Sequence, residues 1–172
     1  MEDIESLLGV SAREKGLQFS CQIPSDVPEV LKGDPGRLRQ ILMNLGGNAI
    51  KFTPSGGVGI SAKLTEDGKL LITVSDSGIG MSEDEQQRIF DEFTQGNDET
   101  RKLFGGTGLG LYFCASVAGL LGGKVWLAHS SAAGSVFKLH LPRASTPRPS
   151  ARLLKSDQWI KTADGGLKSL SR

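Results

Sequence analysis

Hydrophobic residues recur along the chain at two spacings, and the switches between them mark out the elements. Residues 4–12, Ile-Glu-Ser-Leu-Leu-Gly-Val-Ser-Ala, place apolar side chains three and four apart and predict a short amphipathic helix. Leu17, Phe19, Cys21 and Ile23 then alternate with polar neighbours, as a strand with one buried face requires, and Pro24 and Pro28 end it. Asp34-Pro35 supplies an N-cap and a proline at the first helical position. A helix is expected to open there and run to Phe52, where Thr53-Pro-Ser-Gly-Gly57 stops it. At about 100° per residue, Leu38, Ile41, Leu42, Leu45, Ala49 and Phe52 share one arc of this helix and form its core face.

Residues 58–64 and 70–75 read as two strands joined through Glu66-Asp67-Gly68, whose Asp-Gly step predicts an antiparallel hairpin. Ser82-Glu-Asp-Glu85 has the form of a capping box and is expected to start a helix through Ile89, Phe90 and Phe93. Residues 94–105 are polar and aperiodic. Residues 106–121 are apolar enough for a buried helix that opens on a glycine cluster and is closed by Gly122-Gly123. Residues 124–129 and 135–141 form a last pair of strands around Ala133-Gly134. From Pro142 the pattern fails, and prolines with Ser, Thr and Arg predict a flexible basic linker or tail over 143–172 behind one domain at 1–142.

Composition adds one demand: 23 glycines in 172 residues are about twice the usual share of roughly 7%, so the fold needs unusual backbone freedom. Residues 1–142 carry 13 Lys/Arg against 17 Asp/Glu, and the remainder 7 against 2. A mildly acidic body with few aromatics gives no reason to expect a nucleic-acid surface, and the basic tail reads as solvated. Cys21 and Cys114 lie far apart without metal-ligand spacing, and the two histidines complete no zinc site with them. Both cysteines are expected as buried small hydrophobes in a reducing compartment. No apolar run approaches the roughly 20 residues of a membrane span, and Met1-Glu-Asp3 is no signal peptide. The expectation is a cytoplasmic chain without membrane contact of its own, whether or not a parent protein is anchored.

Three segments carry candidate chemistry. On the helix from Asp34, Arg37, Asn44, Asn48 and Lys51 fall in a separate arc of about 60°. Asparagine is a middling helix former, so two of them beside a lysine point to something other than helicity. A solvated polar face is one reading. The other is chemical: amide oxygens suit Mg²⁺ and an ammonium suits phosphate oxygens, which would make the stripe the floor of a Mg-nucleotide site. Asp76-Ser-Gly-Ile-Gly80 directly follows a strand; its carboxylate is placed to accept from an exocyclic amine while the glycines admit a flat base, although the same residues also make a plain turn. Gly105-Gly-Thr-Gly-Leu-Gly110 opens a helix, a setting that binds phosphate through backbone N–H groups or serves as a hinge. It is no P-loop, and it lacks the GxGxxG spacing and βαβ context of a dinucleotide fold.

These segments occur once each, in order. Asp34-Pro-Gly-Arg-Leu-Arg-Gln-Ile-Leu-Met-Asn44-Leu-Gly-Gly-Asn48-Ala-Ile-Lys51-Phe-Thr53 resembles the N box of sensor histidine kinases. Asp76 to Gly80 resembles their first glycine box, Phe90-Asp-Glu-Phe93 their phenylalanine box, and Gly106-Thr-Gly-Leu-Gly110 their second glycine box. The resemblance covers residues 4–142. It implies an α+β two-layer sandwich of the Bergerat type, shared by the gyrase, heat-shock-90, histidine-kinase and MutL superfamily, with a mixed, mainly antiparallel sheet and helices on one face. It also implies ATP and Mg²⁺ as cofactors. Asn48, assisted by Asn44, would hold Mg²⁺; Lys51 would meet the phosphates; Phe52 would flank the adenine, whose amino group Asp76 would read. Gly78 and Gly80 would let the base approach. Gly106, Thr107, Gly108, Leu109 and Gly110 would shape the phosphate side, and residues 94–105 would form a lid with Arg101 and Lys102 as phosphate contacts.

ATP-hydrolysing relatives carry a water-activating glutamate four residues before the metal-binding asparagine. That position is Asn44 here, and an amide is no general base near neutral pH. The resemblance therefore implies a protein histidine kinase catalytic domain rather than a gyrase-type ATPase switch or a non-catalytic nucleotide sensor. The acceptor histidine is expected elsewhere, because His129 and His140 fall in predicted strands without the acidic residue that follows a phospho-accepting histidine. The implied partners are a histidine-bearing dimerisation and phosphoacceptor domain and, downstream, a response-regulator receiver domain.

Overall fold

A computed structural model describes residues 2–25, 27, 34–92, 108–142, 159–161 and 167–169. The element order is α1 (Glu2–Glu14), β1 (Gln18–Gln22), α2 (Pro35–Phe52), β2 (Gly57–Leu64), β3 (Leu70–Asp76), α3 (Glu83–Arg88), α4 (Gly110–Leu120), β4 (Lys124–Ser131) and β5 (Gly134–Leu141), then two short strands, β6 (Trp159–Lys161) and β7 (Leu167–Ser169). Strands β1 to β5 make one sheet in the order β1-β2-β3-β5-β4. β1 runs parallel to β2, with α2 as the crossover such a pair needs, and every other neighbour is antiparallel. β6 pairs with β7 in a separate antiparallel ladder, an element absent from the reading of 143–172 as linker or tail.

The sheet buries one face. Val58, Ile60 and Ala62 of β2, Leu70, Ile72 and Val74 of β3, and Phe137, Leu139 and Leu141 of β5 are buried at alternate positions, and α2 packs over β2 and β3 between α1 and α4. On α1 the buried apolar side chains are Ile4, Leu8 and Ala12, one turn apart. Leu8 fills the space where a side chain on Gly46 would stand, so this glycine sets how closely α1 and α2 approach. The α2 core face is the expected one in the middle, with Ile41, Leu42, Leu45 and Ala49 buried. At its ends Leu38 and Phe52 are half-buried, and Ile50 is buried instead.

Several boundaries shift for local reasons. β1 stops at Gln22 and leaves Ile23 exposed. α3 satisfies its capping box through Ser82 and Glu85 but ends at Arg88 rather than reaching Phe93, because the chain turns there, burying Ile89 in the core and packing Phe90 against it. The Phe90 ring meets Phe137 edge-on, with centroids 6.4 Å apart. α4 begins at Gly110 rather than Gly106; Gly108, at φ +71°, is left-handed and cannot be part of it. Cys114 is fully buried and its thiol is pushed up to about 12 by that burial, whereas Cys21 is only half-buried, a departure from the expectation for both. His129 is exposed beside a bulge in β4 and His140 lies in β5 opposite Leu71. No described helix is long and apolar enough to cross a membrane.

Candidate functional site

α2 is fixed at its start by Asp34, whose carboxylate accepts from the N–H groups of Gly36 and Arg37 at 3.0 and 3.1 Å. The Arg37 guanidinium turns back to the same carboxylate at 3.2 Å and is exposed. It thereby leaves the polar stripe that the helical wheel gave it. Asn44 and Asn48, in contrast, are half-buried and face the first residue of α4. A Cβ on Gly110 would sit 3.4 Å from Asn44 Oδ1 and 3.9 Å from Asn48 Nδ2, so the two amides and the α4 N-terminus form one cluster. That first turn has no side-chain cap, since Leu109 occupies the cap position and offers no oxygen. Lys51, one turn beyond Asn48, holds its ammonium 4.9 Å from the centre of the Phe52 ring, within cation–π range.

The Asp76-Ser-Gly-Ile-Gly80 segment is more than a turn between elements. Ile79 N–H donates to the Phe52 carbonyl at 3.2 Å, pinning the segment to the C-terminal end of α2. Gly78 runs so close beneath that carbonyl that any Cβ would collide with it. Gly80 is left-handed at φ +67°, and a Cβ there would overlap the Ser131 carbonyl. Asp76 closes β3 with Oδ1 accepting from Gly78 N–H at 2.8 Å and from Ser135 N–H at 3.2 Å. Oδ2 has no hydrogen-bond partner among the described residues. Burial raises the Asp76 pKa above the ordinary carboxylate value, and the two backbone donors partly offset that rise. The result is a half-buried carboxylate with one oxygen anchored and the other available to a donor.

Gly134 and Ser135 support this carboxylate from β5 without having been singled out in the sequence. Gly134, at φ +121°, lies so close to the Asp76 carbonyl that a Cβ would overlap it. Ser135 is almost fully buried, and its hydroxyl stands 3.0 Å from that of Ser130. The available signal was Ser135 itself: a serine in the inward phase of an otherwise apolar strand. Thr53 is a similar case, fully buried, with its hydroxyl donating to the Ala49 carbonyl at 2.6 Å. Among the described residues no group of three or more His, Cys, Asp or Glu side chains is placed to hold a metal. Asn44, Asn48, Lys51, Phe52, Asp76, Gly78, Gly80, Gly108, Leu109 and Gly110 are described; Arg101, Lys102, Gly106 and Thr107, with Phe93 and residues 94–105, lie outside the described residues.

Residues 33–145 match the family described as histidine kinase-, DNA gyrase B- and HSP90-like ATPase. This chain belongs to that family. Among proteins similar in sequence, hybrid signal transduction histidine kinase K of Dictyostelium discoideum is 38% identical over 153 residues, covering 82% of this chain and 13% of that protein. The signal transduction histidine-protein kinase BarA of Escherichia coli strain K12 is 38% identical over 145 residues, covering 82% and 16%. The chain thus spans a small part of the relatives it matches. Among solved structures, full-length ShkA in complex with AMPPNP superposes with a TM-score of 0.74 at 34% identity, covering 84% of this chain and 29% of that one. The nucleotide-free catalytic domain of histidine kinase ThkA superposes at 0.68 with 27% identity, covering 83% and 90%. The fold is that of histidine kinase catalytic domains: an open, mixed five-stranded sheet with helices on one face.

Proposed function

We propose that this chain binds Mg-ATP and donates the γ-phosphoryl group to a histidine on a separate dimerisation and phosphoacceptor domain, from which a receiver domain would take it. The observation that carries the reading is Asp76, anchored through Oδ1 and open at Oδ2, a neutral-pH acceptor suited to the amino group of adenine. Gly78 and Gly80, whose Cβ positions are taken by the Phe52 and Ser131 carbonyls, let the loop seat closely beneath that carboxylate, and Phe52 would flank the base. Asn44 and Asn48 are chemically fit for a magnesium ion held chiefly by phosphates: they offer neutral oxygens beside an uncapped helix N-terminus, where the negative charge of a triphosphate is stabilised. Bound there, Mg²⁺ supplies charge neutralisation to the phosphates. Lys51 adds a cation; in this reading Gly108, Leu109 and Gly110 would border the phosphate side together with Gly106 and Thr107, and Arg101 and Lys102 would belong to a lid.

Phosphoryl transfer depends on positioning and charge neutralisation more than on covalent chemistry by the protein. Asn44 provides no base for water, which favours an external nucleophile over hydrolysis. Calorimetric titration with ATP, with and without Mg²⁺, tests binding, and labelled ATP with a supplied histidine-bearing helical domain tests transfer. Asn48→Ala is expected to abolish the Mg²⁺ dependence of affinity; if that dependence survives, the assignment of the stripe is wrong. Steady release of inorganic phosphate without labelling of any acceptor would favour the gyrase-type switch instead.

A further inference from the structure

Helices end with carbonyls that lack helical partners, and at the end of α2 the carbonyls of residues 49–52 are met by three different arrangements. The Ala49 carbonyl accepts from the Thr53 hydroxyl, and the Phe52 carbonyl from the Ile79 N–H of the Asp76–Gly80 loop. The two between them, on Ile50 and Lys51, both accept from Nζ of Lys15, at 2.7 Å each. Lys15 precedes them by 35 and 36 residues, so this is a tertiary contact rather than a local cap. Its own backbone is well held. Lys15 N–H donates to the Ser11 and Ala12 carbonyls, Gly16 follows at φ +74°, and Leu17 N–H returns to Ala12 at 2.8 Å above a buried side chain. A fixed ammonium thus sits at the negative end of the α2 dipole, on the turn that carries Lys51 and Phe52.

We propose that Lys15 is a positioning residue for the nucleotide site, holding the last turn of α2 so that Lys51 and Phe52 keep their places and the Phe52 carbonyl stays docked on the glycine loop beneath Asp76. The nucleotide part of this inference rests on the function proposed above. Nothing else among the described elements reaches both carbonyls with one side chain, and the reach of Lys15 links the α1–β1 turn to the two elements that frame the site.

Lys15→Met keeps the stem and removes the donors; Lys15→Arg restores the charge and the donors. Two measurements on the whole chain decide the matter. Amide hydrogen exchange without nucleotide is expected to show the Ile79 N–H exchanging on the order of tenfold faster in Lys15→Met, with protection recovered in Lys15→Arg. Calorimetry well below the melting temperature is expected to show Mg-ATP binding on the order of tenfold weaker in Lys15→Met, the scale of losing a residue that supports a ligand contact, and again recovered by Arg. A lowered melting temperature with unchanged Ile79 exchange and unchanged ATP affinity would make Lys15 a helix cap and nothing more, and would overturn the proposal. If Lys15→Met does not fold, Lys15→Gln, with one donor amide on a shorter stem, carries the same two readouts. Should the wild-type chain itself bind no Mg-ATP, the functional reading fails, while Ile79 exchange still decides whether Lys15 holds α2 on the loop.

Discussion

Asp76→Asn separates the observed role of the carboxylate, holding the loop, from its proposed one, reading the adenine. Asn retains an Oδ1 able to accept from Gly78 and Ser135 N–H, so the loop geometry survives. What changes is the second position, where an acceptor oxygen becomes an NH₂ donor that, on the proposed function, would oppose the adenine amino group. A hydrogen bond to a charged acceptor contributes about 1.5–3 kcal/mol, which corresponds to roughly 10- to 150-fold in affinity. ATP and ADP are therefore both expected to bind that much more weakly, by calorimetry, with the Mg²⁺ dependence of the residual binding intact. Stability moves the other way. Burial raises the folded-state pKa of Asp76 above its unfolded value, so above the folded pKa the ionised carboxylate destabilises the fold, and that cost is relieved as pH falls through the raised pKa toward the ordinary carboxylate range. The nucleotide-free variant is expected to melt at or above the wild-type temperature near neutral pH, with the difference shrinking as pH falls. Unchanged nucleotide affinity, or a variant that melts several degrees lower without nucleotide, would refute the reasoning.

Three further substitutions or labels probe the frame. Gly134→Ala forces a Cβ onto a backbone at φ +121° and into the Asp76 carbonyl; a loss of about 1–3 kcal/mol is expected from the backbone strain alone, with the overlap adding to it, and denaturant unfolding indistinguishable from wild type would contradict the close approach. Thr53→Val keeps the shape of a fully buried residue but removes the donor to the Ala49 carbonyl, so unfolding should cost about 1–3 kcal/mol less, while a neutral result would mean that the carbonyl finds another partner. Thiol titration of the folded protein should stay silent at Cys114, which is fully buried with a pKa near 12, and be slow at Cys21, whose pKa burial also raises; two fast-reacting thiols in the native state would be incompatible with this core.

The elements were legible because each rests on local chemistry: alternation in β2, β3 and β5, the Asp34-Pro35 start of α2, and the reciprocal Ser82–Glu85 cap. The Asn44–Asn48 pair was legible as well, since a helix fixes which residues share a face. Arg37 shows the limit of that logic. It lies on the right arc, but a carboxylate three residues earlier is nearer than anything across the site, and a long exposed side chain follows the nearest charge. Likewise Phe93 belongs to a helical pattern that ends at Arg88, because burying Ile89 in the core and packing Phe90 against it outweighs one more turn of α3.

What no pattern in the sequence revealed is the way the Asp76 end of the site is assembled from backbone. The carboxylate is held by N–H groups of Gly78 and Ser135, the loop by the Phe52 carbonyl, and the close approaches by Gly78, Gly80 and Gly134, each next to a carbonyl from a different element. Backbone donors and acceptors are the same at every residue, so such contacts leave no residue type to read; they leave only the glycines, and a glycine signals an approach without naming its partner. Gly78, Gly80 and Gly134 mark the places where main chain meets main chain at this end of the candidate site. It follows that substitutions at Gly78 or Gly80 should disturb nucleotide binding through the position of Asp76 and the end of α2, and not through any contact of their own.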